Sequence, residues 1–319
     1  MGKYVLRRLI TAVPTLIAIS IVLFAIISLA PGDPLAAFAA DPRVPEEVKA
    51  NIRKQLGLSD PLPVQYAKWA RSMATGEWGT SFQSRSNVRT LVWQRLPATL
   101  AVLGTAFLLS LVIAIPIGIL SAIRQYSAFD QVATIFAYIG NALPTFVSGL
   151  FLIIVFGVKL KWFPFIYRSN VDQQGLAGAV EHVRQAALPV AVLTLFQTAG
   201  LMRYTRASML EAIRQDYVRT ARAKGLREGK VLTGHAMRNA LIPVVTIVAL
   251  QVPGVFGGAV VTEQIFRVPG MGSLLISGIT NKDTPVIMAV TFLFAVLVVA
   301  CNLLADVVYG LLDPRIKFS

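Results

Sequence analysis

Two histidines and a single cysteine are all that this 319-residue chain offers of the side chains that most often hold transition metals. His182 and His235 lie far apart, both in predicted loops. There is no His-Glu-x-x-His spacing, no paired cysteines and no carboxylate pair within an apolar run, so metal-assisted hydrolysis and two-carboxylate acid–base chemistry both lack a residue set. Cys301 sits inside an apolar run and has no intrachain disulfide partner. Gly225-Leu226-Arg227-Glu228-Gly229-Lys230 faintly resembles a phosphate loop. It is one residue short between its glycines, is followed by Val231 rather than Ser or Thr, and follows no predicted strand. No catalytic residue, metal site or nucleotide site is predicted. Asp306 and Glu263 are the ionisable groups nearest to lying within a span, each close to a span end. Ion- and proton-coupled carriers place titratable groups at mid-membrane, so the energy for any transport is expected from outside the chain.

The elements that carry these residues are apolar. Hydrophobic residues make up 55% of the chain and charged residues 14%, with a mean hydropathy of +0.65. A water-soluble domain of this length needs a larger polar share. The apolar residues are bunched into runs of membrane-spanning length, which must be helical to satisfy their own backbone. The class is all-α integral membrane. Six spans are predicted, at about 9–30, 98–123, 132–158, 188–202, 241–262 and 286–312. The fourth has a short apolar core and is expected to continue as a helix through Arg203 and Arg206. Lys3, Arg7 and Arg8 precede the first run, which is too long for a secretory h-region and reads as a retained span. Leu6 stands where a myristoylation signal wants Ser or Thr.

The net charge of +14 lies in segments between the runs, without the aromatic interleaving of an RNA-binding surface. It reads as orientation. Residues 203–238 hold nine Lys or Arg against three acids, whereas 159–184 holds four and 267–282 two. The short-loop bias places both termini and residues 203–238 in the cytoplasm.

The chain divides into residues 1–30 (tail and first span), a long outer loop at 31–97, and a five-span core at 98–319 with a cytoplasmic loop at 203–240. Two helices are predicted in the outer loop. Pro45, Glu46 and Glu47 open the first, with Val48, Ile52 and Leu56 on one face and Gly57 at its end. The second starts at Pro63 and stops near Gly76, with Tyr66, Trp69, Ala70 and Met73 sharing a face that needs a cover.

Helix breakers punctuate the core: Pro116 and Gly118, then Asn141 and Pro144, then Pro253, Gly254, Gly257 and Gly258. Close helix packing explains such residues as readily as a passage wall or hinge does. The passage or gating candidates are Asn141, Pro144, Gln251, Gly254, Gly257, Gly258 and Glu263.

Residues 209–245 read as helix, break, helix. Asp216 is placed to cap a short helix through Lys224, Gly225 suits the left-handed position beyond it, and a second helix runs toward Pro243. Small Ala221 and Ala223 would let the short helix enter another protein's groove, with Arg219, Arg222 and Lys224 supplying charge. A solvated basic loop beside anionic headgroups is the alternative.

This stretch resembles the coupling loop of ABC importer permeases, in the form found in the dipeptide, oligopeptide and nickel permease family. Other stretches agree: Arg7-Arg8-Leu9 through Pro31-Gly32-Asp33-Pro34; Gly79-Thr80-Ser81-Phe82 with Arg95-Leu96-Pro97; Gly257 to Glu263 before Pro269-Gly270-Met271-Gly272; and Leu311-Leu312-Asp313-Pro314-Arg315-Ile316. The resemblance runs from end to end and is closest to the B-type subunit, which has this long first outer loop.

It implies a non-catalytic permease subunit that pairs with a second, similar permease and imports peptides. Two ABC ATPase subunits would bind ATP and Mg, and a periplasmic substrate-binding protein would deliver the cargo. Residues Asp216, Tyr217, Val218, Arg219, Thr220, Ala221, Arg222, Ala223, Lys224, Gly225 and Leu226 would form the coupling helix. Arg219-Thr220-Ala221 stands where Glu-Ala-Ala is general, and Met237-Arg238 where a Leu-Pro pair is general. Nickel chelates or glutathione are the alternative cargoes. A stand-alone secondary carrier or channel is the reading from another class, and the shortage of titratable groups within the spans opposes it.

Overall fold

An apolar run in lipid closes its own backbone hydrogen bonds as a helix, and in the computed structural model the runs do so. It describes residues 2–29, 45, 47, 60–167 and 175–312. In chain order the helices are α1 (Gly2–Ser28), α2 (Leu62–Thr75), α3 (Val88–Ile123), α4 (Ala128–Ala142), α5 (Thr145–Leu152), α6 (Gly175–Ile213), α7 (Asp216–Ala223), α8 (Arg238–Phe266), α9 (Met271–Thr280) and α10 (Thr284–Leu312). Wide π-helical turns extend α5 through Ile153–Lys159 and precede α8 at Val231–Met237.

Among the described residues, five stretches are long and apolar enough to cross a membrane: Leu6–Ser28, Val88–Ile123, Gly175–Ile213, Glu228–Gln251 and Thr284–Val307. The fourth predicted span does continue, since α6 runs unbroken past Arg203 and Arg206 to Ile213. The third predicted span, 132–158, is not one straight helix. It is the pair α4 and α5, bent by 106°. Pro144 is the cause: its ring pushes the preceding residue out of helical geometry, and Leu143 is extended at φ −84°, ψ 125°.

The chain forms two compact units, Gly2–Thr99 with Pro269–Ala300, and Leu100–Val268 with the helical residues from Cys301. In the first unit, Val88, Val92 and Leu96 of α3 are buried with Met271 of α9 and Val286, Ala289 and Val290 of α10. Helix α2 begins one residue before Pro63 and ends at Gly76, which takes φ 80° and donates its N–H to the Ser72 carbonyl. The aromatic face of α2 is covered by membrane helices. The Tyr66 and Ser20 hydroxyls are 2.8 Å apart, Phe24 packs edge-on against Tyr66, and Trp69 meets Phe292 with ring centroids 5.6 Å apart. The helix predicted from Pro45 to Gly57 lies outside the described residues apart from Pro45 and Glu47.

The Gly79-Thr80-Ser81-Phe82 stretch has a structural role in the same unit. Ser81 Oγ donates to Asp283 Oδ2 at 2.5 Å, and the Phe82 and Gln83 amides donate to the same carboxylate at 3.1 and 3.2 Å. Asp283 is buried. An Asp283→Asn substitution turns an NH₂ group against these donors, and each buried donor so orphaned costs about 1–3 kcal/mol. A lower thermal unfolding midpoint in detergent is expected; an unchanged midpoint would show that the donors find other acceptors.

In the second unit, Ala114, Ala137, Ala199, Leu201, Met202 and Val244 bring α3, α4, α6 and α8 into one core. Small residues let membrane helices approach closely. Gly118 is the extreme case: a Cβ there would stand 2.7 Å from Thr205 Cβ and 2.8 Å from the Met202 carbonyl oxygen.

Candidate functional site

Helix α7 is eight residues long, too short to be stable in isolation. Its apolar anchors are Val218 and Ala221, three apart and therefore on one face, and both are buried. They join Ala122 of α3, Met209 and Ala212 of α6, and Val231, Ala236 and Ala240 in one cluster, with Ile119, Ile213, Leu226 and Met237 packed around it. The short helix thus rests on the ends of α3 and α6 and on the approach to α8. Ser208 Oγ of α6 adds a 2.6 Å hydrogen bond to the Ala240 carbonyl in α8.

This placement corrects one sequence-based expectation. Ala221 does not face outward for a partner's groove. It lies i+3 from Val218 and turns with it into the chain's own core. Ala223 is exposed, as expected.

The ends of α7 follow from local chemistry. Gln215, extended at φ −73°, ψ 151°, is the N-cap, so Asp216 occupies the first helical turn instead of the cap. There its carboxylate complements the helix N-terminus. At the other end Gly225 takes φ +75°. Its N–H donates to the Arg222 carbonyl at 2.9 Å, and the Leu226 N–H to the Ala221 carbonyl at 3.4 Å. This pair of bonds is a Schellman motif, and Leu226 packs against the buried cluster that holds Ala221. Arg222 forks onto Glu228, with Nη2–Oε1 at 2.6 Å and Nε–Oε2 at 3.1 Å, clasping the turn. That hydrogen-bonded partner raises the Arg222 guanidinium above its ordinary pKa. Being exposed, the pair sets geometry more than stability.

The outward surface therefore includes Asp216, Tyr217, Arg219, Thr220, Arg222, Ala223 and Lys224. The Arg219 side chain is 78% exposed and reaches Asp216 at 3.7 Å. The short helix thus presents a basic, partly aromatic surface on a buried apolar seat.

The passage candidates are spread out. Asn141 and Pro144 are exposed at the α4–α5 bend. Gln251 and Gly254 belong to α8; a Cβ at Gly200 of α6 would come 4.0 Å from Gln251 Nε2, while one at Gly254 would meet nothing within 4 Å. Gly257 and Gly258 are helical. Glu263 is buried near the end of α8, and its carbonyl accepts from Arg267, left-handed at φ 51°, and from Val268. Two polar groups of α6 escaped the sequence reading: Gln197 Nε2 and Thr198 Oγ1 are buried with no hydrogen-bond partner among the described residues. So did the Asp130–Arg206 ion pair; Ser127-x-x-Asp130, a capping spacing, marks the helix start and not the pairing.

The described residues thus form a multi-span helical protein with a short basic helix seated between two of its spans. The chain belongs to the family of inner membrane components of binding-protein-dependent transport systems: residues 114–318 match "Binding-protein-dependent transport system inner membrane component" and residues 1–103 match its N-terminal companion. It is the permease component of an ABC importer. Among similar proteins, the oligopeptide transport system permease protein AppB of Bacillus subtilis is 43% identical over the full length of both chains. A probable peptide ABC transporter permease of Sinorhizobium fredii is 38% identical, and the dipeptide transport system permease protein DppB of Alkalihalophilus pseudofirmus 36%, each again over the full length of both chains. The fold is shared with the crystal structure of an amino acid ABC transporter with histidines, at a TM-score of 0.50 and 14% identity, covering 69% of this chain and 93% of that one.

Proposed function

We propose that this chain forms half of a peptide passage and receives mechanical work from an ATPase through residues 216–226. The observation that supports this most is the seat of α7. A force applied to Tyr217 or Arg219 passes through Val218 and Ala221 to the ends of α3 and α6 and the start of α8. The peptide cargo follows from the names of the full-length relatives. A second permease completes the passage, a binding protein delivers cargo from outside, and two ATPase subunits supply ATP and Mg²⁺. Both termini and residues 203–240 face the cytoplasm, residues 31–97 form an outer cap, and residues 98–319 form the core.

Gln197 and Thr198 join the wall candidates on a physical ground. Buried polar groups normally find a partner. Among the described residues Gln197 Nε2 and Thr198 Oγ1 have none, and water or cargo could satisfy them when α6 and α8 part.

The test is import of a labelled oligopeptide into proteoliposomes holding both permeases and the ATPases, with binding protein outside and ATP inside. Import that needs all components is expected; import by this chain alone would overturn the reading. Arg219→Glu reverses an exposed charge without touching the core, so the protein should fold normally. Weaker ATPase retention on the permeases, by roughly tenfold, is expected. Unchanged retention would remove Arg219 from the contact.

A further inference from the structure

Asp130 stands in the first turn of α4, capped by Ser127, whose Oγ accepts the Asp130 N–H at 3.2 Å. Its carboxylate is almost wholly buried, with 4% of the side chain exposed. Arg206 of α6 reaches it bidentately, Nε to Oδ1 at 2.6 Å and Nη2 to Oδ2 at 2.8 Å. The Tyr126 N–H donates to Oδ2 at 2.9 Å, and the Thr134 hydroxyl to Oδ1 at 3.4 Å.

A buried ion pair adds little net stability relative to apolar packing, yet losing one partner is costly, so its use is to fix one arrangement. Arg206 lies three residues before Met209 and six before Ala212, both in the seat of α7. Further along the same two helices, the Arg203 guanidinium lies over the Tyr138 ring, 5.4 Å from its centroid. A Cβ on Gly140 would stand only 3.2 Å from Ala199 Cβ. Helix α4 is therefore held to α6 at successive levels, and it ends where the chain bends by 106° into α5.

We propose that Asp130 and Arg206 are positioning residues that carry movement of the α7 seat into α4 and so to the bend at Asn141 and Pro144. The pair makes the end of α6 and the start of α4 move as one body. Without it, α7 can shift with α6 while α4 lags, and ATP is spent without cargo crossing. This inference rests on the coupling role proposed for α7.

The experiment compares the assembled importer carrying Asp130→Asn or Arg206→Lys with the unmodified complex in proteoliposomes. Amount of complex, ATP hydrolysis and peptide import are measured together. Asn keeps the size and removes the charge; Lys keeps the charge and loses the fork. Hydrolysis is expected to stay within about twofold while peptide imported per ATP falls roughly tenfold for Asp130→Asn, and less for Arg206→Lys. A purely structural pair lowers the amount of complex and leaves the ratio intact, which would overturn the proposal. If Asp130→Asn fails to assemble, the ratio for Arg206→Lys decides, and failure of both to assemble also overturns it. An unmodified complex unable to import peptide would instead sink the functional reading.

Discussion

Gly225→Pro is expected to leave the chain in the membrane and to cut ATP-driven import by roughly a hundredfold. The reason is local. Gly225 holds φ +75°, whereas proline is fixed near −65° and has no N–H. The substitution removes the bond to the Arg222 carbonyl and redirects the chain before Leu226 can reach Ala221. Arg222 and Glu228, clasped across that turn, separate with it. Helix α7 then loses its C-terminal stop and its orientation, while the membrane helices beneath keep their own contacts. A graded series separates this cause from general damage. A Cβ at position 225 meets nothing within 4 Å, so size is not at issue and only the left-handed backbone is. Asn tolerates that region and Ala resists it by about 1–2 kcal/mol, so import should fall in the order Gly, Asn, Ala, Pro. Equal import across the series would show that the turn does not transmit force.

The sequence carried the parts of this design that are written locally. Gly225 was legible as a left-handed stop because a glycine after a short amphipathic stretch has few other uses, and Gly76 was legible for the same reason. Pro144 was legible as a breaker, but the size of the bend was not, since a proline in a membrane helix can also be absorbed. Pro189 shows this, lying within the unbroken α6. The orientation of α7 was half legible. Val218 and Ala221 mark one face by spacing, yet alanine suits a foreign groove and the chain's own core equally well. Only the meeting of Met209, Ala122 and Ala236 around it settles the matter. The Asp130–Arg206 pair joins positions 76 residues apart, and neither residue type at its own position announces a partner so distant. Asp283 with Ser81 is a longer case, 202 residues apart.

Gly118→Leu is expected to have the largest effect on folding: the chain should fail to accumulate as a stable protein in the membrane. The closest neighbours of a side chain at this position are Thr205 Cβ and the Met202 carbonyl oxygen, at 2.7 and 2.8 Å from a Cβ alone. One of these is backbone, inside a 39-residue helix that cannot give way without disturbing its own ladder. Relief requires α3 and α6 to separate, which opens the core formed by Ala114, Ala199 and Met202. Overpacking of a rigid core costs about 1–3 kcal/mol and more when backbone is struck, and the total margin of a domain is roughly 5–15 kcal/mol. Gly118→Ala meets the same two atoms, so it should destabilise as well, though less. Gly254→Ala, on α8 with open space beside it, should be nearly neutral for folding. Quantifying folded protein in membranes for the three variants tests the contrast. If Gly118→Leu accumulates like the parent, α3 and α6 do not meet at this point. If it fails while Gly254→Ala accumulates, the glycine at 118 is present for helix contact, and any function of Gly254 is to be sought in the passage.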